Sequence, residues 1–362
     1  MDHHSYAKLA DALEALPSGF PSVPSGVEIR LLRMVFTPEE AGLAGSMTRR
    51  YEPAGDIARR AGVPEARAGE VLQGLLPRAL VRKRVHDGQE RYRLGPFIVG
   101  WYEAALLGPM RNDLEFATLF EQYMREGGGD RILSPRPGVM GVVPARGSLK
   151  RDLLQPYDDI DAHFARHERF GLIDCVCRLE RNLLGSKCTK PVKRCGFVGL
   201  PPQTPLSEYV LDREQAVKLF TQLEEEGHVH TGFYGFLMGA ETPQFVGCCN
   251  CCGDCCGILR PMNEWGMAEG PQRSNYRAVL VRDDCAACGI CVERCQVHAI
   301  TRDADDTVVI NRERCIGCGL CITTCQGEAI ALEPVSKEEW FDVPASFEEW
   351  EERRLAQMGR VT

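Results

Sequence analysis

CAACGICVERCQVHAI, from Cys285 to Ile300, and CIGCGLCITTCQGEAI, from Cys315 to Ile330, are one pattern written twice. Every cysteine falls at the same place in both copies, with the spacing C-x2-C-x2-C-x3-C. Three thiols in so tight a loop can face three corners of one small inorganic cage, while the fourth, on a short helix, points the other way. Gly289, Gly317 and Gly319 let the backbone come close to such a group and donate N–H bonds to it. Apolar segments frame the copies: Ala278 to Val281 before the first, a hairpin near Ile300 and Val308 to Ile310, and Ala329 to Leu332 after the second.

Over residues 276–332 the chain resembles the bacterial-type dicluster ferredoxins. The resemblance implies two 4Fe–4S clusters, one on Cys285, Cys288, Cys291 and Cys325, the other on Cys315, Cys318, Cys321 and Cys295. That family usually has proline after the fourth cysteine, where this chain has Gln296 and Gln326. Proline ligates nothing, so the departure leaves the clusters intact and bears on their potentials. A pair of four-cysteine zinc sites would account for C-x2-C, but not for a third cysteine at the same interval and a fourth after three more.

The chain has 18 cysteines in 362 residues, none before Cys175. Its start, MDHHSYAKLADALEAL, lacks the basic-then-apolar pattern of a signal peptide, and no apolar run is long enough to span a bilayer. The expected location is therefore the cytoplasm, where thiols stay reduced and dense cysteines read as metal ligands instead of disulfides. So many intact thiols suggest an anaerobic host. A formal net charge of −8 argues against nucleic-acid holding as the main business of the chain.

Ten cysteines remain outside the repeat: Cys175, Cys177, Cys188 and Cys195, then Cys248, Cys249, Cys251, Cys252, Cys255 and Cys256. They are enough for one or two further iron–sulfur clusters, which would extend the first pair into a wire. A structural zinc site on the first four, reactive thiols, or a cluster with an open position stay as alternatives. Adjacent Cys-Cys pairs do not easily face one metal, so the doublets either face two different clusters or include non-ligands. The nearby Arg178, Arg181, Lys187, Lys190, Lys193 and Arg194 read equally as a solvated loop, as compensation for an anionic cluster, or as a docking patch. His228 and His230 read as a surface pair at a helix end, with a histidine ligand to a cluster as the alternative.

The fold class expected is α+β and multidomain. Residues 1–95 form a winged-helix-like domain, 96–155 a helical connector, 156–275 a Cys-rich central domain, 276–334 the ferredoxin domain and 335–362 a helical tail. In the first, Val27 to Val35, Pro38 to Met47, Ala54 to Ala61 and Pro64 to Leu76 read as helices, with Thr37 as a cap. Val81 to Val85, Asp87-Gly88 and Arg91 to Leu94 read as a hairpin wing. Helices are expected over Pro96 to Leu107, Asp113 to Glu126, Tyr157 to Phe170, and an amphipathic stretch capped by Asp212. Residues 130–160 and the run CCNCCGDCC read as irregular, the latter too Cys-rich and Gly-broken to pack. FTPEEA (Phe36 to Ala41), GWYE (Gly100 to Glu103), DCVCR (Asp174 to Arg178) and CCNCC (Cys248 to Cys252) are similar to a set of uncharacterised 4Fe–4S binding proteins of anaerobes. That likeness implies iron–sulfur binding and electron transfer, and no substrate.

The chain lacks a phosphate-binding G-x-x-x-x-G-K-[ST] loop, a strand–GxGxxG–helix, G-x-S-x-G and H-E-x-x-H. The function expected is therefore an electron-transfer protein or a subunit of a redox complex, with redox proteins or a second copy as partners and no membrane insertion. Two other readings stay open: a redox- or iron-sensing DNA-binding regulator, and a reductase reacting at the central cysteines. The basic wing (Arg82, Lys83, Arg84, Arg91, Arg93) favours DNA, whereas Glu65 and Glu70 against Arg67 on the helix in the recognition position oppose it.

Overall fold

In the computed structural model, residues 2–186, 188–199, 209–233 and 247–360 are described, the side chains of Asp2 and of residues 194–199 excepted. The chain divides into two compact units. The first comprises Met1–Pro135, Leu179–Lys187 and Met358–Thr362, the second Arg136–Arg178 and Cys188–Gln357. Among the described residues no helix is long and apolar enough to cross a membrane.

The first unit is mainly helical. α1 (Asp2–Glu14), α2 (Val27–Val35) and α3 (Pro38–Ala44) precede β1 (Glu52–Pro53), α4 (Ala54–Ala61) and α5 (Glu65–Leu75). A hairpin of β2 (Val81–His86) and β3 (Gln89–Leu94) completes a sheet of order β1-β3-β2. Local chemistry accounts for the punctuation. Thr37 and Glu40 form a reciprocal capping box at the start of α3. Gly62 stops α4 at φ 70°. Asp87 and Gly88 both have positive φ, as a two-residue turn between twisted strands requires.

Beyond the hairpin the structure departs from the expected helices. Only Tyr102–Leu107 (α6) is helical, because Ile98 and Val99 are extended. The preceding Phe97 is buried against Phe20, ring centroids 4.8 Å apart, in an aromatic cluster with Trp101, Phe120 and Tyr123. Packing of these rings overrides helical continuity. α7 (Leu114–Tyr123) is capped by Asp113; the chain breaks at Gly127 (φ 114°) and resumes as α8 (Gly129–Leu133).

The second unit holds every cysteine. β4 (Met140–Val143) lies where an irregular stretch was expected. α9 is short (Ile160–Ala165), and the residues expected to prolong it form β5 (Arg169–Ile173). α10 (Val176–Leu183) spans the division between units. β6 (Cys195–Gly199), β7 (Val210–Asp212) and α11 (Arg213–Glu225) follow, then β8 (Val229–Phe233), β9 (Cys248–Cys251) and α12 (Arg260–Glu264). The sheets have the orders β4-β8-β9 and β6-β5-β7. The expectation that CCNCC cannot pack is overturned by β9. Its backbone pairs with β8 in the register Val229↔Cys251 to Gly232↔Cys248, and backbone pairing does not depend on side-chain type. Asp212 caps α11 through a box with Gln215, and Ala216, Phe220 and Leu223 are buried on one face. Phe220 joins Val143, Phe164, Phe170, Cys248 and Trp350 in one apolar core.

β10 (Tyr276–Leu280), α13 (Ile290–Arg294), β11 (Ile300–Arg302), β12 (Val308–Ile310), β13 (Ile330–Pro334) and α14 (Phe347–Gln357) complete the unit. β10 pairs antiparallel with β13, and β11 with β12. Trp350 of α14 donates its indole N–H to the Gly138 carbonyl at 2.9 Å, which anchors the tail helix.

One buried acid makes this unit sensitive to pH. Burial raises the Asp158 carboxyl to about 7, only partly offset by the Tyr276 hydroxyl and the Gln155 backbone. In the unfolded chain the same group ionises near 3.9. Its contribution to stability is thus complete below that value and lost as pH rises through about 7. Asp158→Asn, which cannot ionise, should gain stability relative to the parent chain between those limits and hold the gain above them. Melting temperatures of both proteins across that range test this; a difference that does not change with pH would refute it.

Candidate metal centres

The sequence repeat is also a repeat of backbone conformation. Ala287 and Gly317, two residues into each copy, have φ of 51° and 71°; Gly289 and Gly319 have 80° and 75°; His298 and Glu328 have 51° and 50°. Left-handed residues at matched places turn both loops in the same sense. The space at Gly317 admits no side chain: a Cβ there would lie 2.1 Å from Ser274 Oγ and 2.2 Å from the Tyr276 carbonyl. Backbone donors reach the sulfurs, with Ala278 N–H on Cys315 Sγ at 3.4 Å and Ala299 N–H on Cys295 Sγ at 3.1 Å.

Electrostatics group these thiols across the repeat. Cys295, in the first copy, feels Cys315 of the second; Cys318 and Cys321 in turn feel Cys295 and Cys315, and Cys321 feels Cys291 as well. Cys291 feels its own neighbours Cys285 and Cys288. Burial pushes the Cys318 thiol up to about 12 and raises Cys291, Cys295 and Cys321 as well. A thiol held up by burial becomes a thiolate at neutral pH only when a cation takes the place of its proton. Such a donor set fits a thiolate-bound cluster. Cys285, Cys295, Cys318 and Cys325 are half-buried, Cys291, Cys315 and Cys321 buried, and Cys288 exposed.

Residues 308–331 match the family model of the 4Fe–4S binding domain. The match takes in Cys315, Cys318, Cys321 and Cys325 and marks this chain as an iron–sulfur protein. No curated protein and no solved structure matches the chain.

Outside the 4Fe–4S binding domain, the central cysteines fall into distinct surroundings. The Sγ atoms of Cys188, Cys252 and Cys255 all lie within 4.8 Å of one another, the one such triplet of potential metal-binding groups among the described residues. Cys252 is 3.0 Å from Cys255 and 3.8 Å from Cys188. Cys256 instead hydrogen-bonds with Cys177 and Cys251. Gly257 N–H donates to Cys177 Sγ at 3.3 Å, and Thr231 Oγ1 meets Cys251 Sγ at 3.2 Å. Cys248 sits in the apolar core beside Phe220, and Cys249 opposes Thr231 in the β8–β9 ladder. Cys175 is buried, with its N–H on the Val192 carbonyl at 3.0 Å. The Cys195 backbone pairs with Ile173, while its side chain lies outside the described residues.

The basic loop is not uniformly solvated. Arg178 is fully buried; its guanidinium donates to the Pro191 carbonyl at 2.7 Å and lies 3.8 Å from Cys252 Sγ. Hydrogen bonds from Cys188 and Cys255, aided by Arg178, hold the Cys252 thiol far below its ordinary range. The same pairing drives Cys255 up. Cys252 is thus the thiol of the group whose proton is most easily lost. Lys190 is drawn inward onto the Glu226 carbonyl at 2.9 Å, and Lys193 reaches the Tyr209 hydroxyl. Arg181 faces Glu121 at 3.8 Å, and the side chains of Lys187 and Arg194 lie outside the described residues.

The histidines require a correction. His228 and His230 are 0% and 1% exposed, not a surface pair, because the strand that follows α11 carries them into the unit. His230 bridges Asn250 Oδ1 at 2.6 Å and Glu224 at 3.0 Å, and Arg146 binds Glu224 from the other side at 3.2 Å. His228 Nδ1 lies 3.1 Å from the Leu223 carbonyl, which can only accept, so Nδ1 carries the proton and Nε2 the lone pair. Nε2 has no hydrogen-bond partner among the described residues.

Gly317→Ala should cost the 4Fe–4S binding domain its iron, since the obstructing atoms include a backbone carbonyl that cannot swing aside. Gly69→Ala is the control: that position lies inside α5 with open space around it and should gain about 1 kcal/mol of helix stability. Iron per chain and the melting curve of each variant check the pair; full iron retention in Gly317→Ala would contradict the packing argument.

Proposed function

We propose that this chain is an electron-transfer protein that passes single electrons through two 4Fe–4S clusters towards the thiol groups of its central part. The observation that carries the reading is a junction in the second unit. Gln296 follows Cys295 directly, and its Oε1 accepts the N–H of Gly253, the residue after Cys252, at 2.9 Å. Asn263 Nδ2 donates to the carbonyls of both Gly253 and Gln296, at 3.2 and 2.9 Å. Arg294 adds bonds to the Glu224, Glu225 and Leu320 carbonyls, tying α13 to the end of α11. Two sulfur-bearing loops are thus joined directly by one hydrogen bond and bridged by the Asn263 amide. In this reading, the crossed ligand sets described for the dicluster ferredoxins apply. The set of Cys315, Cys318, Cys321 and Cys295 stands next to the central thiols, and the set with exposed Cys288 offers the entry for a redox partner protein.

The helices and hairpin of residues 27–94 follow the order of a winged helix, which we read as a docking module. Its cations are engaged within the fold. Arg67, the lone cation of α5, is held by Glu39 and Glu70, each at 2.7 Å. Lys83 pairs with Glu90 at 2.6 Å, and Arg84 stacks on Tyr51 at 4.3 Å. Gln73, the one amide on α5, donates to Tyr92 at 2.8 Å. A helix so neutralised has little left for phosphates or base edges, which disfavours the regulator reading.

Anaerobically purified protein should contain more iron than the about eight atoms that two 4Fe–4S clusters hold. After mixing with dithionite, freeze-quenched EPR should show ferredoxin-type signals first and central signals later, with the second phase slowed several-fold in Gln296→Ala. A preparation with only the iron of the dicluster part would sink the wire.

A further inference from the structure

The doublets Cys251-Cys252 and Cys255-Cys256 are divided by geometry. In a strand, successive side chains point to opposite faces. Cys251 ends β9 on the face it shares with Thr231, and Cys252 follows on the face of Asn250 and His230. The chain then makes a single helical turn, closed by Cys256 N–H on the Cys252 carbonyl at 3.2 Å. Three-residue spacing on that turn brings Cys255 back beside Cys252, while Cys256 is rotated away from it. Each doublet therefore gives one thiol to Cys188 and the other to Cys177.

The first group also has an unclaimed donor. Continuing the β8–β9 register by one residue beyond Val229↔Cys251 sets His228 opposite Cys252. The His228 ring is fully buried, its tautomer is fixed by the Leu223 carbonyl, and its Nε2 lone pair has no hydrogen-bond partner among the described residues. An acceptor left buried and unpaired is costly, and ligation would remove that cost. Lys190 binds the Glu226 carbonyl at 2.9 Å and so fastens the Cys188 loop two residues short of His228. Arg178, buried beside Cys252, offsets the negative charge of a set of thiolates.

We propose that the central part holds two separate metal centres, one bound by Cys188, Cys252 and Cys255 with His228 Nε2 as fourth donor, the other by Cys177, Cys251 and Cys256. Both take a thiophilic metal, either the iron of an iron–sulfur centre or zinc. Where the metal is the iron of an iron–sulfur centre, the assignment rests on and deepens the electron-transfer reading by placing a discrete centre directly across the Gln296–Gly253 junction.

The test uses the full chain, purified without oxygen, with iron, inorganic sulfide and zinc counted per chain. Cys252→Ser/Cys255→Ser should lose the metal of one centre and keep the other. Cys251→Ser/Cys256→Ser should do the reverse, and the two losses should add up to the whole central complement. His228→Ala should lose metal from the first centre alone. Iron and sulfide falling together identify an iron–sulfur centre, and zinc falling alone identifies zinc; either result supports the assignment. Retention of the ferredoxin-type EPR signal in every variant shows that the fold survives, and the single change Cys255→Ser substitutes for a double variant that fails this check. The proposal is overturned if either double variant empties the whole central complement or if neither changes it. Full metal in His228→Ala overturns the histidine donor. Parent protein with only the metal of the dicluster part would sink both this assignment and the wire, whereas joint loss from two intact centres would sink the division alone.

Discussion

Burying a sulfur anion is the constraint around which the second unit is built. A thiolate taken out of water needs a cation, a metal or a set of N–H donors beside it, or it keeps its proton. The unit supplies these compensations differently in its two halves. In the repeat, positive-φ turns direct backbone N–H groups at the sulfurs, and the thiols left to burial are pushed up, so ligation has to displace their protons. In the central part the Arg178 guanidinium reaches Cys252 and, together with hydrogen bonds to the neighbouring thiols, favours its ionised form.

The surrounding fold keeps these groups in place through polar contacts more than through a large apolar core. The carbonyls at the end of α11 are satisfied by Arg294, the one at Val297 by Arg314 at 2.8 Å, and those at Gly253 and Gln296 by Asn263. Each of these side chains fastens a loop with no regular partner of its own, the condition a buried backbone acceptor imposes. The apolar core around Phe164, Phe170 and Phe220 lies under β5 and α11 and supports the sheets from which the loops emerge. Loss of Phe220 to alanine would cost such a core about 3–5 kcal/mol, enough to endanger loops that have little stability apart from it.

Local signals in the sequence were legible wherever the physics is local. Thr37 with Glu40, Asp212 with Gln215, and Asp87-Gly88 each act within a few residues, and each appears in the structure at the expected position. The repeated cysteine spacing carries into matched backbone angles for the same reason. The strands β4 and β9 were not legible, because a strand is made by its partner: β4 pairs with β8 about 90 residues away, and Met-Gly-Val-Val or Cys-Cys-Asn-Cys has no alternation to announce it. The extended break before α6 has a similar origin, since the rings that hold Phe97 come from distant parts of the chain. Burial of His228 and His230 follows from β8 being the middle strand of its sheet, which no pattern around the pair reveals unaided.

The two glutamines that stand in place of proline show how equal sequence positions come to unequal ends. Gln326 is exposed, as a residue whose only task is to close a turn can be. Gln296 is half-buried and spends its side-chain oxygen on Gly253 N–H, with its own carbonyl taken by Asn263. Proline at 296 would keep the carbonyl but remove the side-chain acceptor, leaving the Gly253 N–H without its bond beside Cys252. Gly253 is equally constrained, since a Cβ there would lie 2.2 Å from the Gln296 carbonyl oxygen. A small residue on one loop and an amide on the other are thus mutually required where the two cysteine-bearing loops come together. The repeat is symmetric in its cysteines and asymmetric in this one contact.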